Sequence, residues 1–324
     1  MTQPLMTLAC PLCGSRETRI VFTPPDQAPY QNVICVSCSL VFINPRMTEE
    51  DYRRAYEEGF TKAFMKLEGQ LDEEAENKAA ERKARGIMRY LEAWLPKTGR
   101  VFEVGAGYGA LLQVVADRGM SVFGIEPDPR AAERARTRGL DVRTNFLEQT
   151  LTNWQEGPVD VILMHHVLEH TMDPVAVLQG LKKLAHPQTV LYIGVPNVLK
   201  SPFPNEQFFR PAHTFNFSPY TLLCVLEKAG WKALDCDPTK GPLECIAVLQ
   251  ESPRAGSAAE SMPLWMRRPS AVLRTIAWSD RKRRTFRWLR KQATASPVRS
   301  LLKAVLDRFG YRATSAGFQK KNQG

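Results

Sequence analysis

Between Arg100 and Gln250, short runs rich in branched apolar residues alternate with stretches of helical periodicity. The runs are Val101-Phe-Glu-Val, Ser121-Val-Phe-Gly-Ile, Val159-Asp-Val-Ile-Leu-Met, Thr189-Val-Leu-Tyr-Ile-Gly-Val and Glu244-Cys-Ile-Ala-Val-Leu. Runs this apolar need cover on both faces, and crossover helices supply it. The pattern predicts an α/β fold with a Rossmann-like, doubly wound, mostly parallel sheet over residues 100–250. Around it, residues 1–46 read as a small Cys- and Pro-rich module, 47–99 as a helical connector, and 251–324 as a linker and basic helical tail.

Four of the seven cysteines form two close pairs, Cys10-Pro-Leu-Cys13 and Cys35-Val-Ser-Cys38. Each pair places two thiolates on one side of a tight turn, and two such turns face to face complete a tetrahedral zinc site. With four protein ligands, the expected zinc is structural. Cys224, Cys236 and Cys245 are isolated among apolar residues and read as buried free thiols.

The charge is uneven. From Ser252 to Gly324 there are 17 basic and three acidic residues, a balance of +14 in a chain whose total is +10. Such a tail implies a polyanionic partner: nucleic acid, anionic lipid or an acidic glycan. Ser296-Pro297 opens an expected helix to Phe309 with Val298, Leu301, Leu302, Val305, Leu306 and Phe309 on one face. This stripe is expected to dock on the central domain. The preceding segment, Pro269–Gln292 with Trp278, Phe286 and Trp288, is the candidate for a peripheral anionic membrane surface. No run approaches the roughly 18 apolar residues of a membrane span, and the start lacks a leader's apolar stretch. The expected location is the cytoplasm, with any lipid contact at the inner membrane face.

Val101-Phe-Glu103-Val-Gly105-Ala-Gly107-Tyr-Gly109 joins a predicted strand to a predicted helix, and Glu126 closes the next strand. Glycines let a ligand approach the backbone at a helix N-terminus, and an acid ending the second strand can accept both ribose hydroxyls. The spacing is G-x-G-x-G, and Glu103 would repel a pyrophosphate but attract a cationic, amino-acid-bearing nucleoside. With these residues the chain resembles the class I S-adenosylmethionine-dependent methyltransferases. The similar segments are EVGAGYG, GIEP, DVILMHHVLEHTMDP and FFRPAHTFNFSPYTLLCVLEKAGW. The resemblance implies that Glu103, Gly105 and Gly107 line the cofactor's methionine end and that Glu126 holds its ribose; Gly109 and His165 are further expected cofactor-binding residues. Where the family has an acid near the adenine, this chain reads Arg143-Thr-Asn145-Phe146-Leu-Glu148. The cysteine module followed by LVFINPRMTEEDY is similar to bacterial methyltransferases acting on sugars and other small metabolites.

All five histidines lie between His165 and His213. His166-Val-Leu-Glu169-His170 has the spacing of a helical zinc-protease motif, but the preceding strand places it at a strand end, without an evident third ligand. His213 and His166 are the candidate general bases. The alternatives are structural: His213 packed among Phe208, Phe209 and Phe215, and Glu169 with His170 bracing a loop. The leading expectation is methyl transfer to a small-molecule or glycan acceptor, lipid- or nucleotide-linked sugars included. An RNA methyltransferase gripping its substrate with the cysteine module and basic tail is the alternative. A non-catalytic zinc-ribbon binding protein is the third.

Overall fold

Residues 5–25, 30–57, 73–250, 259–293, 311–314 and 317–320 are described in the computed structural model of the chain. The N-terminal segment supplies short strands β1 (Leu5–Met6), β2 (Thr18–Phe22), β3 (Asn32–Cys35), β4 (Val41–Ile43) and β5 (Arg46–Met47). β2, β3 and β4 form an antiparallel meander, and β1 pairs with β5. Helix α1 (Glu49–Glu57) follows. The Thr48 hydroxyl accepts the Asp51 amide at 3.2 Å, and Glu49, Glu50 and Asp51 complement the positive helix end. Helix α2 (Glu73–Leu91) buries Ala84, Ile87, Met88 and Leu91, one stripe at helical spacing.

The central elements then alternate: β6 (Arg100–Val104), α3 (Ala110–Ala116), β7 (Ser121–Ile125), α4 (Pro129–Thr137), β8 (Asp141–Arg143), α5 (Leu147–Thr152), β9 (Val159–His165), α6 (Pro174–Leu181) and β10 (Ala185–Val195). After them come α7 (Asn205–Phe208), β11 (Phe215–Asn216), α8 (Pro219–Ala229), β12 (Trp231–Cys236) and β13 (Leu243–Leu249). Three helices start on the same chemistry, an Asp or Ser cap followed by proline. Asp128 accepts from Arg130 N at 2.9 Å, Asp173 from Val175 N at 2.9 Å, and Ser218 from Thr221 N at 3.2 Å.

The seven-stranded sheet has the order β12-β13-β10-β9-β6-β7-β8. The strands from β10 to β8 are parallel, and β13 and β12 close one edge antiparallel. The chain winds outward in both directions from the β6–β9 boundary, which is where open α/β sheets bind ligands. Phe102, Val104, Ile162 and Met164 pack on one face, and Val101, Val161 and Leu163 on the other. The predicted runs are β6, β7, β9, β10 and β13. The two other strands carry weak signals: β8 has three residues with Asp141 and Arg143 exposed, and edge strand β12 carries Lys232 and Asp235.

The N-terminal strands are joined by a later segment of the chain. β11 adds to the N-terminal sheet through Phe215↔Phe42 and Asn216↔Val41, and Asn216 Nδ2 donates to Asn32 Oδ1 at 3.1 Å. Leu12, Val33 and Phe42 share one apolar cluster with Phe215, Phe217 and Leu222.

The tail departs from expectation. Helix α9 (Pro269–Ala293) buries Val272 and Ile276 against Ile34, Val41, Val198, Phe208 and Phe209. Asp280 accepts from Asn205 N at 2.8 Å, and Arg283 donates to Ser201 O at 2.6 Å. Thus the upstream basic segment docks through Val272 and Ile276, while Trp278 stays exposed. The expected helix Pro297–Phe309 lies outside the described residues. Tyr311–Thr314 and Gly317–Lys320 pair as antiparallel strands. Among the described residues, no helix is long and apolar enough to cross a membrane.

Candidate functional site

The loop after β6 is built by glycines doing different work. Gly105, Gly107 and Gly109 have φ of 70°, 53° and 76°, a region that resists side chains. A Cβ on Gly107 would meet nothing within 4 Å, so its bare backbone borders open space. A Cβ on Gly105 would stand 2.4 Å from Val167 Cγ2, and one on Gly109 2.3 Å from Leu140 Cδ1. Gly109 therefore lets α3 start against Leu140 and Ala135. Gly109 thus has a packing role of its own, beside the cofactor contact expected there.

Glu126, at the end of β7, ties two loops together. Its Oε2 accepts the Gly107 amide and its Oε1 the Asp128 amide, both at 2.9 Å. Burial pushes its pKa up, against the pull of these two amides. Glu103, in β6, is buried with Oε2 lacking a hydrogen-bond partner among the described residues. Burial, and secondarily the charge of Glu126, pushes its pKa well up. A buried carboxylate with an oxygen to spare fits an ammonium group. An open Gly107 and a carboxylate ending the second strand fit a ribose. The residues present thus suit a nucleoside bearing a cationic amino-acid tail.

A cleft of about 280 Å³ opens beside this loop. Gly105, Glu126 and Pro127 border it on one side, Asn145 and Phe146 on another, and His166 and His170 on a third. Tyr52 and Arg53 of α1 also line it, so the connector reaches the site. Sequence reasoning missed these two and His170 as lining residues. The run TEEDYRR directly after the cysteine module was their one available signal.

The histidines separate sharply. His165, the last residue of β9, turns away from the cleft to Tyr192, whose hydroxyl lies 3.0 Å from Nδ1 and donates to Glu244 at 3.2 Å. Burial lowers its pKa well below the usual value. His165, expected to contact the cofactor, is not among the residues that line the cleft described above. His166 leaves the strand with φ of 56°, a strained conformation for histidine, held where its amide donates to Gly194 O at 2.7 Å. Its Nδ1–H donates to Glu169 Oε1 at 2.8 Å. Glu169 is 1% exposed. Burial opposes its ionisation, but the His166 hydrogen bond and neighbouring imidazoles hold it well below the ordinary carboxylate range. His170 gives its Nδ1–H to Ala212 O at 2.8 Å. His213 sits behind His170 with ring centroids 5.0 Å apart, and 6.3 Å from Phe208. Burial, then the neighbouring His170, pushes its pKa down to about 3. His166 is among the residues lining the cleft, and His213 is not.

The four N-terminal sulfurs converge. Cys10 Sγ–Cys38 Sγ and Cys13 Sγ–Cys35 Sγ are each 3.5 Å, and all four lie within 4.8 Å of one another. A tetrahedron of sulfurs with bonds of about 2.3 Å has edges near 3.8 Å, so the quartet fits zinc.

A family model of the methyltransferase domain matches residues 75–235. The chain is 32% identical over 115 residues to the ubiquinone biosynthesis O-methyltransferase of Xylella fastidiosa, spanning 33% of this chain and 46% of that protein. It is 31% identical over 161 residues to the protein of that name from Actinobacillus pleuropneumoniae, spanning 41% of this chain and 68% of the relative. It is 27% identical over 168 residues to the tRNA 5-carboxymethoxyuridine methyltransferase of Escherichia coli, spanning 45% of this chain and 64% of that protein. The chain thus spans roughly half to two thirds of the length of these relatives. With the domain match and a relative 31% identical and covered to 68%, the chain belongs to the S-adenosylmethionine-dependent class I methyltransferases.

Proposed function

We propose that the protein methylates an oxygen of a small-molecule or glycan acceptor, with His166 taking the acceptor's proton. One observation carries this reading: a single cleft joins the glycine loop and Glu126 to the His166–Glu169 pair. S-adenosylmethionine, when bound, supplies an electrophilic methyl carbon. Gly107 would offer it bare backbone beside Gly105 of the cleft wall, Glu126 would hold the ribose hydroxyls, and Glu103 would hold the amino group. Holding two reactants in line contributes up to roughly 7–11 kcal/mol in favourable cases, so much of the chain's task is positioning. His166 adds a base. Its Nδ1–H is committed to a carboxylate, which leaves Nε2 with the lone pair that can accept a proton. The cysteine quartet holds a structural zinc, since four protein ligands leave no open position.

Transfer to RNA has separate support. One relative is named a tRNA methyltransferase, and α9 carries the run Arg281-Lys-Arg-Arg284. Transfer of a tritiated methyl group to fractionated cell extract decides between the two. We expect label in small-molecule or glycan fractions, reduced roughly 10²–10⁴-fold by His166→Ala with unchanged S-adenosylmethionine affinity. Label confined to RNA would establish the other acceptor class, and full incorporation by His166→Ala would remove His166 as base.

A further inference from the structure

Beneath the cleft wall, three side chains bring ligand atoms together. Glu169, His170 and His213 each present one such atom, and these lie within 4.8 Å of one another. We propose that this triad binds one divalent transition-metal ion, a second metal site separate from the cysteine quartet.

Hydrogen bonding shows which of these atoms remain available as ligands. Glu169 Oε1 accepts from His166, while Oε2 is buried without a hydrogen-bond partner among the described residues. A carbonyl can only accept, so the contact with Ala212 O fixes the proton of His170 on Nδ1 and makes Nε2 its acceptor nitrogen. His213 Nδ1 is likewise buried and unpartnered among the described residues. Buried polar atoms without partners are rare in native interiors, and this cluster of three residues contains two of them. The separation of His170 Nε2 and Glu169 Oε1 is 3.9 Å. That is too long for a hydrogen bond, but within the roughly 3–4 Å between two ligands of one ion with bonds near 2.1 Å.

The surroundings hold the three groups from several elements. His166 braces Glu169, and the Ala212 carbonyl braces His170, the outer hydrogen bonds that metal ligands ordinarily have. Thr214 Oγ1 lies 3.0 Å from Glu169 O and 2.6 Å from Thr171 O, fastening the His213 loop to the Glu169 turn. Tyr52 of α1 donates to Ala212 O at 2.8 Å. Two imidazoles and one carboxylate suit manganese, iron, cobalt, nickel or zinc; calcium and magnesium favour all-oxygen sites. Three protein ligands leave coordination positions open. His170 also lines the cleft, so an oxygen ligand entering from there is the chemical class that would complete the site.

The test uses the full-length protein with its cysteine-bound metal in place. After dialysis against citrate it is titrated with Co(II), bound metal being counted by mass spectrometry and its coordination read from visible absorption. We expect one Co(II) per chain beyond the metal on the cysteines, with ligand-field bands and no thiolate charge transfer. His213→Ala and Glu169→Gln should each weaken it by at least roughly tenfold, whereas Cys13→Ser should leave it in place. Retained S-adenosylmethionine binding shows that each variant is folded. Failure of the unaltered protein to take up this second ion, or equal uptake by the folded His213→Ala and Glu169→Gln proteins, overturns the proposal. Methyl transfer enters neither readout, so the outcome is independent of the acceptor assignment.

Discussion

Gly107 and Gly109 stand two residues apart in one loop, both at positive φ, yet alanine should injure the protein differently at each. Adding a Cβ in the left-handed region costs roughly 1–2 kcal/mol at either site. At Gly109 the new atom stands 2.3 Å from Leu140 Cδ1 and 3.2 Å from Ala135 Cβ. Leu140 can rotate away, but Ala135 belongs to a packed helix, so overpacking adds roughly 1–3 kcal/mol. Gly109→Ala should therefore lose about 2–5 kcal/mol of stability. At Gly107 nothing lies within 4 Å, and only the backbone strain remains. Its methyl instead enters the space assigned to the cofactor, so Gly107→Ala should lose S-adenosylmethionine affinity with about 1–2 kcal/mol of destabilisation. Urea denaturation and calorimetric titration measure both quantities on the same samples. If Gly107→Ala binds S-adenosylmethionine as tightly as the parent, or if Gly109→Ala is no less stable than Gly107→Ala, the division of labour in this loop is wrong.

Other expectations follow from the same packing and ligand geometry. Purified under reducing, chelator-free conditions, the protein should carry one zinc on the cysteines by metal analysis, and Cys35→Ser should abolish it. On α9, Ile276→Ala should cost about 2–4 kcal/mol in chemical denaturation because Ile276 is buried, while Trp278→Ala, at a position 62% exposed, should change stability by no more than about 0.5 kcal/mol. A contribution of Arg281, Lys282 and Arg284 to RNA binding predicts that charge-removing variants flatten the slope of log affinity against log salt. An unchanged slope would take α9 out of the RNA interface.

The central sheet was legible because its strands are buried on both faces and read as unbroken apolar runs. Strand ends then placed His165 and His166 at the rim. What the sequence did not reveal was which of these adjacent histidines enters the cleft. That depends on one backbone angle, the positive φ of His166, and on an amide accepted by Gly194 O from another strand. His213 looked like a base because a histidine on an aromatic loop is compatible with either role. Its position behind His170 is a tertiary fact, set by pairing between segments far apart in the chain. Gly109 shows the same limit: its glycine is required by Leu140, a contact that no spacing rule contains. The docking of α9 was obscured by its charge. Val272 and Ile276 form a brief apolar stripe followed by a run of arginines, and the longer stripe of Val298 to Phe309 drew the docking prediction.

The pairing of β11 with β4 also constrains the order in which the chain can be assembled. β2, β3 and β4 are close in sequence and can meander as soon as they are made. The strand that completes their sheet carries Asn216, whose partner Asn32 is 184 residues earlier. At roughly 5–20 residues per second, synthesis of that interval occupies about 10–40 s. Throughout it Phe42 has no Phe215 to pack against, and β4 is an unpaired edge. Early capture of zinc by the cysteines would hold the hairpin in register during this wait. The metal's value to the protein would then be largest on the ribosome, before the methyltransferase sheet exists.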